Sequence, residues 1–85
     1  MSEKNSLNEE QFIAIYDELA EDIFRHLYFR VYDYERTKEL TQEVFTRTWI
    51  YVSKGRKIEN LKALAYRIAT NIAIDESRKK KAVSL

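Results

Sequence analysis

Residues 12–32 read F-I-A-I-Y-D-E-L-A-E-D-I-F-R-H-L-Y-F-R-V-Y. Here Phe12, Ile15, Tyr16, Leu19, Ile23, Leu27 and Val31 recur at steps of three and four, the spacing that gathers side chains on one face of an α-helix. The pattern predicts a helix to about Tyr32. Asn8 is placed to cap it and Gln11 to reach back as in a capping box, with Leu7 and Phe12 at the staple positions. Such a run is long for one helix of a small domain. Two helices joined by a bend within 19–21 would also fit, although no Gly or Pro marks a break there.

Downstream, D-Y-E (33–35) reads as a connection, and a second helical pattern spans about 36–52. At 100° per residue, Leu40, Val44, Phe45, Tyr51 and Val52 fall within an arc about 140° wide. The opposite arc carries Glu39, Gln42, Glu43, Thr46 and Trp49. A Trp among polar residues is either part of a protein-binding surface or a core residue supplied from the helix flank, and periodicity leaves both readings open. Residues 53–60 (S-K-G-R-K-I-E-N) hold the chain's only Gly and three basic residues, a predicted loop. Asn60 can then cap a last helix running to about Lys80, with Leu61, Leu64, Ala65, Ile68 and Ile72 on its core face. Its other side carries Arg67, Asn71, Ile74 and Arg78. Such a stripe suits nucleic acid, with charge for phosphate and amide for base edges, and it equally suits a solvated helix face. The run Arg78-Lys79-Lys80-Lys81 also complements the negative end of a helix dipole.

Composition narrows the function classes. The 85 residues make one domain, and no Pro with a single Gly favours an all-α chain, a compact bundle of three to four helices. There is no Cys, so disulfides, zinc–thiolate sites and cysteine nucleophiles are excluded. With one His and no grouped carboxylates, no metal site is expected, and no cofactor. The acidic pairs Glu9-Glu10, Asp17-Glu18 and Glu21-Asp22 lack a partner His, and neither a phosphate-cradling Gly loop nor a nucleophile elbow is present, so no catalytic residue and no enzyme is expected. No apolar run approaches the ~20 residues of a membrane span, and polar residues 1–8 do not resemble a signal peptide, which points to the cytoplasm. The net charge of +1 conceals an asymmetry. Residues 1–43 hold five basic against eleven acidic side chains, and residues 44–85 ten against three. A basic half suits a polyanion and an acidic half a basic protein, unless the two simply attract each other.

Two segments together resemble a known family. E-L-T-Q-E-V-F-T-R-T-W (39–49), followed about twenty residues on by Y-R-I-A-T-N-I-A-I-D-E-S-R-K-K-K (66–81), is similar to conserved region 2 of bacterial sigma-70-family sigma factors, in particular the extracytoplasmic-function (ECF) group. The resemblance covers residues 12–81. It implies a compact helical domain, residues 9–81, between an N-terminal tail (1–8) and the start of a linker (82–85). It also implies a transcription initiation factor domain with two tasks. One is binding the clamp helices of the RNA polymerase core β′ subunit, at positions matching Glu39, Leu40, Gln42, Glu43, Thr46 and Trp49; this favours the surface reading of Trp49. The other is recognising and helping to melt the −10 promoter element on the non-template strand. The resemblance gives that task to the loop (Lys54, Arg56, Lys57, Asn60) and to Asn71; charge and helix face add Arg67, Arg78 and Lys79 as phosphate contacts. An anti-sigma factor is a further implied partner.

The chain departs from the family pattern in places. The common Trp-Leu-Tyr-Arg-Ile-Ala reads Leu64-Ala65-Tyr66-Arg67-Ile68-Ala69, the loop is short and basic, and Glu39 replaces the usual Asp. Region 4, which reads the −35 element in the family, has no counterpart, and the expectation is a piece of a longer protein. The competing reading is a helical interaction module that binds polymerase or an anti-sigma protein without sequence-specific DNA recognition.

Overall fold

The computed structural model describes residues 9–83, with side chains through Lys79. Over these residues the chain forms three α-helices, α1 (Glu9–Val31), α2 (Tyr34–Ser53) and α3 (Leu61–Val83), each packed on the other two. No strand occurs among the described residues, so the fold is the all-α bundle expected, in its three-helix form. The first pattern is one unbroken helix. Leu19, Ile23, Leu27 and Val31 continue a single buried row at every fourth position, and a bend would have misaligned it. Leu7, Asn8 and the rest of the 1–8 tail lie outside the described residues. α3 continues through Val83, three residues past the predicted end near Lys80.

The first connection is shorter than the sequence pattern indicates: α2 starts at Tyr34, because Asp33 caps it. The Asp33 backbone is extended (φ −145°, ψ 113°), and its side chain accepts the Arg36 N–H at 3.0 Å. Tyr32 supplies the reversal from the left-handed region, φ +58°, with its N–H donated to the Tyr28 carbonyl at 2.8 Å. The second connection leaves α2 through Gly55, also left-handed at φ +78°, whose N–H donates to the Val52 carbonyl. It ends at Asn60, whose Oδ1 accepts the Ala63 N–H at 2.9 Å, the predicted cap.

The core draws on all three helices, with Ile23, Leu27, Val44 and Ala69 fully buried. α3 presents Ala65, Ala69 and Ala73 at every fourth position, a small-residue row that lets its backbone approach its neighbours. Thr37, Thr41 and Thr48 of α2 are buried as well, although their hydroxyls placed them outside the predicted core. Each donates to the carbonyl four residues earlier (Asp33, Thr37 and Val44, at 2.7–2.8 Å), so the polar atom is satisfied within the helix and the methyl faces the core.

An ionic contact crosses the bundle between described residues of α2 and α3. Glu76 of α3, 8% exposed, accepts two hydrogen bonds from Arg36 of α2, Nε to Oε2 at 2.9 Å and Nη2 to Oε1 at 2.8 Å. A third donor, Nη1, reaches Glu39 at 2.8 Å. These bonds hold the Arg36 guanidinium even more firmly protonated than usual. Between α1 and α3, His26 Nε2 lies 3.1 Å from Thr70 Oγ1, and its ring meets Tyr66 edge-on. Burial, followed by the charge of Arg30, holds the His26 imidazole below its ordinary pKa.

Candidate functional site

Two surfaces gather the residues singled out by sequence. The first is the outer ridge of α2. Gln42, Thr46 and Trp49 face α1 and line a shallow cleft of about 420 Å³ together with Phe12, Ile13 and Tyr16. Trp49 lies between the two positions that periodicity left open: its ring packs at 4.9 Å (centroid to centroid) on Phe12, and it remains half-exposed at the cleft. The cleft floor is firm, since Tyr16 and Phe45 are themselves in ring contact at 4.2 Å. Glu43 lies on the other flank, in a cleft between α2 and α3, and Arg47 pairs with it. Glu39 is exposed and bonded to Arg36. Leu40 is only 2% exposed. It belongs to the core beneath the ridge and supports the neighbouring side chains without reaching the surface itself.

The second surface is built by the loop and α3. Lys57, Asn60 and Arg67 converge on one cleft of about 390 Å³, where the loop folds against the first turns of α3. Sequence reasoning missed its other walls, Tyr51, Ile58, Glu59 and Leu64. Tyr51 had been assigned to the core arc; it is half-buried, lines the cleft and carries the Arg56 guanidinium over its ring at 4.7 Å. Its place in sequence, just ahead of a basic loop, was the available signal. Leu64 stands where the family commonly has Trp. Lys54 is exposed in the turn and does not line the cleft.

From this cleft the stripe continues along α3. Arg67, Asn71, Ile74 and Arg78 are all exposed and fall within about 60° of helix circumference. Arg78 lies 4.0 Å from Asp75 in an open surface pair, which leaves its guanidinium available. Lys79 departs from the stripe. It lies about 120° round the helix from Arg67 and lines the α2–α3 cleft with Glu43. Glu76 points directly away from the stripe, so its bond to Arg36 anchors α3 from behind. The arrangement offers cations, an amide and an aromatic ring on one side of the bundle, and an apolar cleft with polar rims on another. It offers no cluster of three or more metal-ligating side chains among the described residues. No helix among them is long and apolar enough to cross a membrane.

The family model for sigma-70 region 2 matches residues 15–83, which takes in α2, the loop and α3 entire. A curated relative, the ECF RNA polymerase sigma factor SigX of Bacillus subtilis (strain 168), is 34% identical over 77 residues. That alignment covers 88% of this chain and 39% of the relative, so the chain spans well under half of that protein's length. No solved structure matches.

Proposed function

Because the chain belongs to the sigma-70 region 2 family, we propose that it is the part of a transcription initiation factor that docks on the β′ clamp helices and engages the −10 promoter strand. The observation that carries this reading is the convergence of Lys57, Asn60 and Arg67 on one cleft that runs on into the exposed Asn71 and Arg78. A flipped base needs a pocket with apolar walls and polar groups at its rim; the backbone leading away from it needs cations in line. Extruding a base costs a few kcal/mol, and stacking plus phosphate contacts must offset that cost. Here Tyr51, Ile58 and Leu64 supply the walls, and Arg67 and Arg78 the cations. No catalytic step is involved, and strand opening is driven by binding.

Docking uses the α2 ridge. Gln42, Thr46 and Trp49 present an aromatic anchor with hydrogen-bonding neighbours, and Glu39 and Glu43, paired with Arg36 and Arg47, add charged contacts along the helix. This ridge and the loop cleft have no lining residue in common, so polymerase and DNA can be held at once.

The test is binding to a purified β′ clamp-helix fragment, followed by the fluorescence of Trp49, the chain's only Trp. Saturable binding is expected, and Gln42→Ala should weaken it about tenfold, the loss of one well-placed interface contact. Gln42 is exposed, so its truncation opens no cavity in the core; Trp49→Ala, read by calorimetry, also removes the Phe12 contact and serves as the second variant. Absence of binding by the folded chain would remove the docking assignment.

A further inference from the structure

We propose that Glu59 makes the loop cleft selective for a nucleobase bearing an exocyclic amino group and disfavours thymine there. This rests on the cleft receiving a base of the promoter strand, and it adds which bases it accepts.

Within residues 44–79 there are three carboxylates. Asp75 faces Arg78, and Glu76 is held by Arg36. Glu59 alone among them has neither an ion pair nor a side-chain hydrogen bond within the described residues, and it lines a cleft whose other charged walls, Lys57 and Arg67, are cationic. Attraction for phosphate does not require an acid in such a place; an acid weakens it. What a carboxylate adds is hydrogen-bond acceptance without donation. Its neighbour Asn60 complements it. The Asn60 Oδ1 is held by the Ala63 N–H, which leaves both amide N–H donors free to face a ligand. The cleft thus offers an acceptor and a donor on adjacent residues, between the apolar walls of Tyr51, Ile58 and Leu64.

Adenine, cytosine and guanine each carry an amino group that can donate to Glu59 while a ring nitrogen or carbonyl accepts from Asn60. Thymine has one ring N–H set between two carbonyl oxygens, and both oxygens are repelled by the carboxylate. A charge-assisted hydrogen bond to a base edge is the kind of contact that separates bases. Glu59 also precedes the N-terminus of α3, where negative charge is favourable. That effect would act on helix stability and on all bases alike, which separates it from selectivity.

The experiment uses the 85-residue chain, a short labelled oligo(dT) strand, and the same strand with one central adenine, cytosine or guanine. Fluorescence anisotropy should show the amino-bearing strands bound roughly tenfold more tightly than oligo(dT), the equivalent of one charge-assisted bond. Glu59→Gln should bring the ratio close to one, with oligo(dT) bound at least as well as before and the melting temperature little changed. If wild type binds all four strands equally, or if Glu59→Gln keeps the wild-type ratio, the selectivity is overturned while single-strand binding stands. If no strand binds at all, both the promoter reading and this inference fail. A fall in melting temperature with every affinity changed in proportion would assign Glu59 to the helix end, and would likewise overturn it.

Discussion

Replacing Arg36 by Met would take from the Glu76 carboxylate the two hydrogen bonds that Arg36 donates, in a site where the Glu76 side chain is 10% exposed. Cutting one member of a fully buried pair costs roughly 3–5 kcal/mol, because the remaining charge stays desolvated. The Arg36 side chain is 34% exposed, so water screens part of the interaction, and about 2–3 kcal/mol is the better expectation. Glu76→Gln should cost less, about 1 kcal/mol, since the amide oxygen still accepts one guanidinium N–H and Arg36 keeps Glu39. The double variant Arg36→Met with Glu76→Leu removes both charges at similar volume, and should lie within about 1 kcal/mol of wild type. Urea unfolding followed by circular dichroism reads all three. With a slope near 1 kcal/mol/M for a chain of this size, Arg36→Met should lower the midpoint by roughly 2–3 M. The reasoning is refuted if that midpoint moves by less than about 0.5 M, or if the double variant is as unstable as Arg36→Met alone.

Two further perturbations probe separate parts of the fold. Tyr32 is 72% exposed and holds φ +58°, so Tyr32→Gly should relieve backbone strain and stabilise by about 0.5–1 kcal/mol, a rise of several degrees in melting temperature; a fall would mean that its ring contact with Tyr28 outweighs the strain. His26 is held below its ordinary pKa in the fold, so between that lowered value and the unfolded value near 6.5 the unfolded chain binds more protons. Stability is therefore full above about pH 6.5 and declines as pH falls through this window, and His26→Gln should flatten that decline in urea midpoints taken at successive pH values; equal slopes for both proteins would remove His26 as the cause.

Much of the fold was legible because α1 repeats apolar residues at every fourth position and because Asn60 and the lone Gly punctuate the chain in the usual ways. The buried threonines were not legible. A hydroxyl that bonds its own helix behaves as apolar, and a binary pattern scores it as polar. Glu76 was hidden for another reason: it sits beside a basic run in sequence, and the Arg36 that buries it is forty residues away. At the candidate sites, charge and spacing located Lys57, Asn60 and Arg67. They could not show that Tyr51, Glu59 and Leu64 close around the same space, because that convergence depends on how the loop folds against α3. Leu40 lay on the predicted core arc, and only the resemblance gave it a surface role; Lys79 was chosen by its charge, and helix phase turns it away from the stripe.

Gly55 has open space around it; a Cβ there would meet nothing within 4 Å, although its φ is one that other residues rarely adopt. The loop it begins leaves α2 after the last buried residue, Val52, and rejoins the bundle at the Asn60 cap. None of residues 53–60 is buried, so the stretch that would discriminate among nucleic-acid sequences contributes little to holding the helices together. On the proposed reading, the loop's share of recognition and the packing of the bundle are thereby written in different parts of the chain. A lineage built on this plan can trade one loop for another, acquiring a new set of targets, without having to re-solve the packing problem beneath it.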